Sequence, residues 1–202
     1  MITVINYGMG NLGSLINMFK RIGVKASIES DPERIRKAEK IVLPGVGAFD
    51  SAMSSINKVP GMIETLNHKA LVEKIPILGV CLGMQLFTRC SEEGNLPGLG
   101  WIPASTLRFP KHQGLKVPHM GWNIARSNSD SKLMLNVIDE SRYYFVHSYY
   151  VHVEDQTNSL MKTNYGIEFD SAIGKENIYG VQFHPEKSHR YGMQILQNFA
   201  KL

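Results

Sequence analysis

The chain has 202 residues, 43% of them hydrophobic and 20% charged, enough apolar material for a core and too much for an intrinsically disordered chain. Its formal net charge of +4 is scattered through Lys20-Arg21, a stretch from Arg34 to Lys40 interrupted by Glu39, Lys111 and Lys116. No basic stripe, recognition helix or zinc finger accompanies it, so nucleic-acid binding is not expected.

Residues 2–7 form a short apolar run ending at Gly8, and residues 12–22 carry apolar side chains at helical spacing. Residues 24–28 read as a second strand. Asp31-Pro32-Glu33 then supplies a cap residue and a first-turn proline, the grammar of a helix start. Ile41-Val42-Leu43 is a third strand, halted by Pro44-Gly45. A helix is expected over residues 61–73, a buried strand over 77–80 and a helix over 82–89, in which Cys90 is also placed. The middle is punctuated by residues 95–100, Pro103, Pro110, Pro118 and Gly121. Strands follow at 144–153, 160–163, 171–173 and 178–183, and an amphipathic helix over 190–201 closes the chain. Strands and helices alternate in the first half, and the strands are almost continuously apolar. This predicts an α/β fold: an open, mostly parallel sheet flanked by helices on both faces, with antiparallel additions in the second half. With no repeat or linker, a single domain over 1–202 is expected. No apolar run has membrane-spanning length, and Met1 to Ile5 lack the charged start of a signal peptide. Two cysteines are too few for a disulfide framework or a cysteine zinc site, so a soluble protein of a reduced, cytoplasmic compartment is expected.

Three segments carry possible chemistry. Gly8-Met9-Gly10-Asn11-Leu12-Gly13 fits G-x-G-x-x-G between a strand and a helix, with Glu29 about twenty residues on, as in a dinucleotide site. A tight strand-to-helix turn needs the same glycines whatever binds there. Gly79-Val80-Cys81-Leu82-Gly83 has the form of a nucleophile elbow with cysteine as the nucleophile. There a helix N-terminus would favour thiolate, and the Leu82 N–H would favour an oxyanion. The ordinary fate of a cysteine is inert burial, but an inert cysteine needs no glycine two residues away on each side. His184-Pro185-Glu186 places a carboxylate two residues from an imidazole, where it can hold the tautomer of a general base. Alone it could be a surface turn. Together with the elbow it makes a complete acyl-transfer set. Pro44-Gly45-Val46-Gly47 ends the third strand at the same sheet edge and can add a second oxyanion donor.

On these residues the sequence resembles the class I (triad) glutamine amidotransferases, and within them the glutaminase subunits of imidazole glycerol phosphate synthase. The matching segments are 6–11, 44–49, 79–86, 118–123, 144–149 and 180–188, in the family's order; Pro118-His119-Met120-Gly121-Trp122-Asn123 narrows the match to this subunit. The resemblance implies that Cys81 attacks the side-chain amide of L-glutamine, with His184 as base and acid and Glu186 orienting it. It implies an oxyanion hole at Leu82 and the Gly45-Val46 peptide, and substrate contacts at Gly47, Gln85, Glu93, Ser148 and Tyr149. No metal or organic cofactor is implied. The implied partner is a β/α-barrel cyclase subunit in a heterodimer, met on a face containing Asn11, Trp122 and Lys187. Small departures at Thr88-Arg89-Cys90 and Ala104 leave open a paralogue supplying ammonia for amidino-sugar synthesis.

Overall fold

The computed structural model describes residues 1–110 and 115–202, so Lys111 of the charge reading lies outside the described residues. In chain order the elements are β1 (Ile2–Ile5), α1 (Leu12–Arg21), β2 (Ala26–Glu29), α2 (Pro32–Ile35), β3 (Lys40–Gly45), α3 (Phe49–Lys58), α4 (Met62–Asn67), β4 (Ile77–Cys81), α5 (Leu82–Gln85), β5 (Cys90–Ser91) and β6 (Ala104–Arg108). They continue as β7 (His119–Ile124), β8 (Arg126–Ser127), β9 (Arg142–His147), β10 (Tyr149–Val153), β11 (Ser159–Tyr165), β12 (Ile167–Lys175), β13 (Ile178–Val181) and α6 (His189–Lys201).

The main sheet runs β2-β1-β3-β4-β13-β12-β10-β6-β5, with β11 and β8 attached beside β12. Pairing is parallel from β2 through β13 and antiparallel from β13 to β6, as expected for the second half. Along β3 and β4 successive residues point to opposite faces, and both faces are covered. Ile41, Leu43 and Ile77 pack with Phe49, Met53 and Ile56 of α3 on one side. Val42, Leu78 and Val80 pack with Phe19 of α1 and Leu196 and Phe199 of α6 on the other. Burying both faces is what makes these strands continuously apolar.

Several boundaries differ from the sequence expectation. Pro44-Gly45 do not halt β3; the strand runs through them, paired to Val80 and Cys81 of β4. On the opposite side β1 has already ended, and the Pro44 carbonyl there accepts the Tyr7 hydroxyl at 2.7 Å, so proline's missing N–H breaks no ladder. The helix expected over 82–89 is one turn long. Its continuation is pulled into tertiary bonds, with the Leu86 and Phe87 carbonyls accepting Leu99 N–H and Ile102 N–H. Cys90 therefore stands exposed on β5 and not in a helix. The single strand expected over 144–153 is two: β9 pairs with β7 in a separate ribbon, while β10 joins the main sheet. Among the described residues, no helix is long and apolar enough to cross a membrane.

Candidate active site

The carboxyl ends of β3, β4 and β13 meet at one edge of the sheet, where open α/β folds bind ligands. Gly45 lies opposite Cys81 in the β3–β4 register, and Val80 lies opposite Val181 in the β4–β13 register. The short step from Val181 to His184 thus delivers the imidazole to the edge that carries Cys81. Cys81 itself takes φ +55° and ψ −112°, a backbone state that L residues avoid except where the surroundings enforce it. Enforcement comes from the tight packing of the turn: a side chain on Gly79 would strike the Phe87 ring and the Gly83 backbone at under 3 Å. This strand-to-helix turn has the elbow form expected from sequence. One part of that expectation fails. With α5 only four residues long, there is no extended helix dipole to polarise the thiol.

A cavity of about 300 Å³ opens at this edge, lined by Val46, Gly47, Cys81, Leu82, Gln85, Glu93, Ser148, Tyr149 and His184, all named from sequence, together with Pro118, Val146 and His147. Gly45 and Glu186 sit just outside the lining. His184 Nδ1 and Glu186 Oε1 are 2.8 Å apart with both side chains buried, so the imidazole donates through Nδ1. The Ser188 hydroxyl braces this turn, donating to the His184 carbonyl at 2.6 Å and accepting Tyr144 N–H at 3.0 Å. Nε2 has no hydrogen-bond partner among the described residues. Burial disfavours the charged imidazole, but the Cys81 sulfur and the Glu186 carboxylate outweigh it and hold the His184 pKa well above the ordinary histidine value. Cys81 and His184 thus line one cavity, with the imidazole held by the carboxylate through Nδ1 and Nε2 uncommitted.

Glu93 accepts Phe49 N–H at 3.0 Å; burial raises its pKa, the Phe49 bond lowers it, and Asp50 nearby raises it further. Gln85 spends both amide hydrogens on the protein, one on the Tyr149 carbonyl at 3.1 Å and one on Gln182 Oε1 at 3.0 Å. Its own oxygen is the group left for a ligand. Sequence reasoning missed Gln182, whose Nε2 donates to Cys81 Sγ at 3.7 Å, and His147, whose Nδ1 donates to the Tyr149 carbonyl at 2.7 Å. A buried amide in the apolar run 178–183 was the available signal for the first. Nothing local marked the second.

Of the residues expected on a partner face, Trp122 and Lys187 converge around Tyr144, at 6.1 Å ring to ring and 5.6 Å from Nζ to the ring. Asn11 is exposed and caps α1, accepting Ser14 N–H at 3.4 Å. α1 also borders the triad: Ser14, Asn17, Met18 and Arg21 share a small cavity with Glu186. Gly10 packs its bare Cα face against Pro44, so the glycine-rich opening serves the turn beside the cavity. Among the described residues, no cluster of three His, Cys, Asp or Glu side chains is placed to hold a metal ion.

The family description "Glutamine amidotransferase class-I" matches residues 3–202. The chain is 55% identical over 201 residues to imidazole glycerol phosphate synthase subunit HisH 2 of Methanococcus maripaludis, covering 100% of this chain and 99% of that protein. It is 46% identical to the subunit of the same name from Pseudomonas aeruginosa, with both chains covered in full. Among solved structures, one described as a glutamine amidotransferase superposes over the whole of both chains with a TM-score of 0.76 at 13% identity, a likeness of fold alone. These names favour neither the dinucleotide reading nor the amidino-sugar alternative. The chain belongs to the class-I glutamine amidotransferase family, alongside the HisH subunits of imidazole glycerol phosphate synthase.

Proposed function

We propose that this protein is the glutaminase subunit of imidazole glycerol phosphate synthase, acting as one domain in the cytoplasm. It hydrolyses L-glutamine to L-glutamate and ammonia, and hands the ammonia to a β/α-barrel cyclase subunit that makes imidazole glycerol phosphate and AICAR in histidine biosynthesis. The observation that carries this reading is a cysteine held at positive φ on a strand-to-helix elbow, sharing one cavity with an imidazole that is itself held by a buried carboxylate.

The chemistry follows from the groups present. His184 Nε2 takes the Cys81 proton, and the thiolate attacks the side-chain amide carbon of glutamine. The developing oxyanion is received by backbone N–H groups of Leu82 and the Gly45-Val46 peptide, which lie at neighbouring strand ends. His184 returns the proton to the departing nitrogen, releasing ammonia and leaving a γ-glutamyl thioester on Cys81. His184 then activates water, the thioester is hydrolysed, and glutamate leaves with the thiol restored. Glu186 keeps the imidazole in the tautomer that offers Nε2. Glu93, in the same cavity lining, would pair with the substrate α-ammonium, and Gly47, Gln85, Ser148 and Tyr149 would contact the rest of it.

Ammonia released into water is protonated and loses its nucleophilicity, so a subunit of this kind needs a docked acceptor. Exposed Asn11, Trp122 and Lys187 fit such a face, in a heterodimer with the cyclase subunit. The test measures glutaminase turnover of this chain alone, and then with a cyclase subunit and its nucleotide substrate. Low basal turnover stimulated strongly by the pair is expected; high turnover by the lone chain with no response to the partner overturns the reading.

A further inference from the structure

Gln182 is fully buried one residue beyond Val181, whose register partner is Val80, so it stands beside Cys81 at the end of the neighbouring strand. Its amide touches two groups: Oε1 accepts Gln85 Nε2 at 3.0 Å, and Nε2 donates to Cys81 Sγ at 3.7 Å. Which end of the amide faces sulfur is decided by a third residue. The Tyr149 carbonyl can only accept, and it takes Gln85 Nε2 at 3.1 Å. Gln85 must therefore show nitrogen to Tyr149 and, through the same atom, to Gln182. Gln182 must answer with oxygen, and its own N–H groups are left for the sulfur. The Tyr149 carbonyl also accepts His147 Nδ1 at 2.7 Å, which occupies its second lone pair and locks the arrangement.

Two contacts then compete for the state of Cys81. The Val146 carbonyl lies 3.9 Å from Sγ and suits the neutral thiol, whose hydrogen it accepts. The Gln182 N–H suits the anion, because a hydrogen bond to a charged acceptor is the stronger one. We propose that Gln182 is a further catalytic residue of the glutaminase site, donating an N–H to the Cys81 sulfur so as to favour and aim the thiolate. The inference rests on the reading of Cys81 as the nucleophile. As a neutral donor, Gln182 stabilises the anion without competing with His184 for the proton. It also ties the sulfur to the substrate contacts, since Gln85 and Tyr149 belong to the same chain of hydrogen bonds.

The experiment follows the pH dependence of Cys81 alkylation by iodoacetamide in a Cys90→Ser background, where the exposed second thiol is gone. Gln182→Met keeps the length of the side chain and loses the donor. Gln182→Glu keeps an oxygen for Gln85 and turns an acceptor toward the sulfur. The midpoint of alkylation should rise by about one pH unit in Gln182→Met and by more in Gln182→Glu, with kcat for glutamine falling about tenfold and KM changing little. Thermal melting identifies the folded variants, and the nearly isosteric Glu variant decides the matter should the Met variant melt below the assay temperature. A parental midpoint in a folded variant, even with reduced kcat, overturns the proposal and leaves Gln182 a packing residue. Glutaminase activity surviving in Cys81→Ala would instead overturn the reading of the site itself.

Discussion

Gly83 lies so close to the Leu43 carbonyl that a Cβ on it would stand 1.8 Å from that oxygen. The two belong to the turn after β4 and to the neighbouring strand β3, so this contact sets how deeply the elbow is pressed into the sheet edge. The neighbour is backbone in a buried strand and cannot swing aside. Gly83→Ala should therefore destabilise the fold by about 3 kcal/mol, the upper end for overpacking, measured as a loss of denaturation free energy. Gly13→Ala, where a Cβ meets open space, is the matched control and should be close to neutral in the same measurement.

The elbow was legible because its glycines are forced by contacts that any sequence would need there. The His184–Glu186 pair was legible because it is local in sequence. What escaped depended on distant partners. α3 is not among the expected helices: Phe49, Ala52, Met53 and Ile56 are interspersed with Asp50 and serines, and its start is organised from elsewhere, since Glu93 accepts Phe49 N–H and Asp50 accepts Asn95 and Leu96 N–H. The helix after Cys81 stops short of its expected end for the same reason, since its later carbonyls are claimed by residues 98–102. No periodicity marks Ser148 as the point where the chain leaves one sheet for another. Gln182 and His147 take their meaning only from hydrogen bonds across the fold.

The backbone state of Cys81 makes a prediction independent of catalysis. Holding an L residue at φ +55° and ψ −112° costs on the order of 1–3 kcal/mol, while glycine adopts such a state freely at an entropic cost of about 0.8 kcal/mol. Cys81→Gly should thus be more stable than Cys81→Ala by about 1 kcal/mol, or a few degrees in Tm. Both should lack glutaminase activity, whereas Cys90→Ala should keep most of it. Equal loss from the Cys81 and Cys90 substitutions would sink the elbow assignment.

Trp122 separates docking from folding. The residue is 47% exposed and its ring stacks on His189 at 5.3 Å, so its removal takes little from the core. Trp122→Ala should cost the fold no more than about 2 kcal/mol, the scale of its two aromatic contacts with Tyr144 and His189. If the ring anchors the cyclase subunit, the same change should weaken association about thirtyfold and reduce stimulated turnover more than basal turnover. Titration calorimetry against the cyclase reads the first effect, and paired activity assays read the second. Normal affinity and coupling in the variant would remove this face from the interface.

The last prediction concerns acid. His147 donates Nδ1–H to the Tyr149 carbonyl, so its Nε2 must accept from His119 Nδ1 at 2.9 Å, and His119 Nε2 accepts Asn123 Nδ2 at 3.2 Å. Every position on both rings is committed with each ring neutral. Burial pushes the His119 pKa down to about 4 and, joined by repulsion from neighbouring imidazoles, that of His147 down to about 3. Below about pH 6.5 the unfolded chain binds these protons and the native chain does not, so the stability this pair provides at neutral pH is lost as pH falls toward 4. The slope should approach 1.4 kcal/mol per pH unit for each histidine between about pH 6 and 5. His147→Gln should lower that slope by about one proton's worth in urea denaturation measured across the same range. An unchanged slope would mean that His147 titrates as it does in the unfolded chain, and that the tautomers assigned to the pair are wrong.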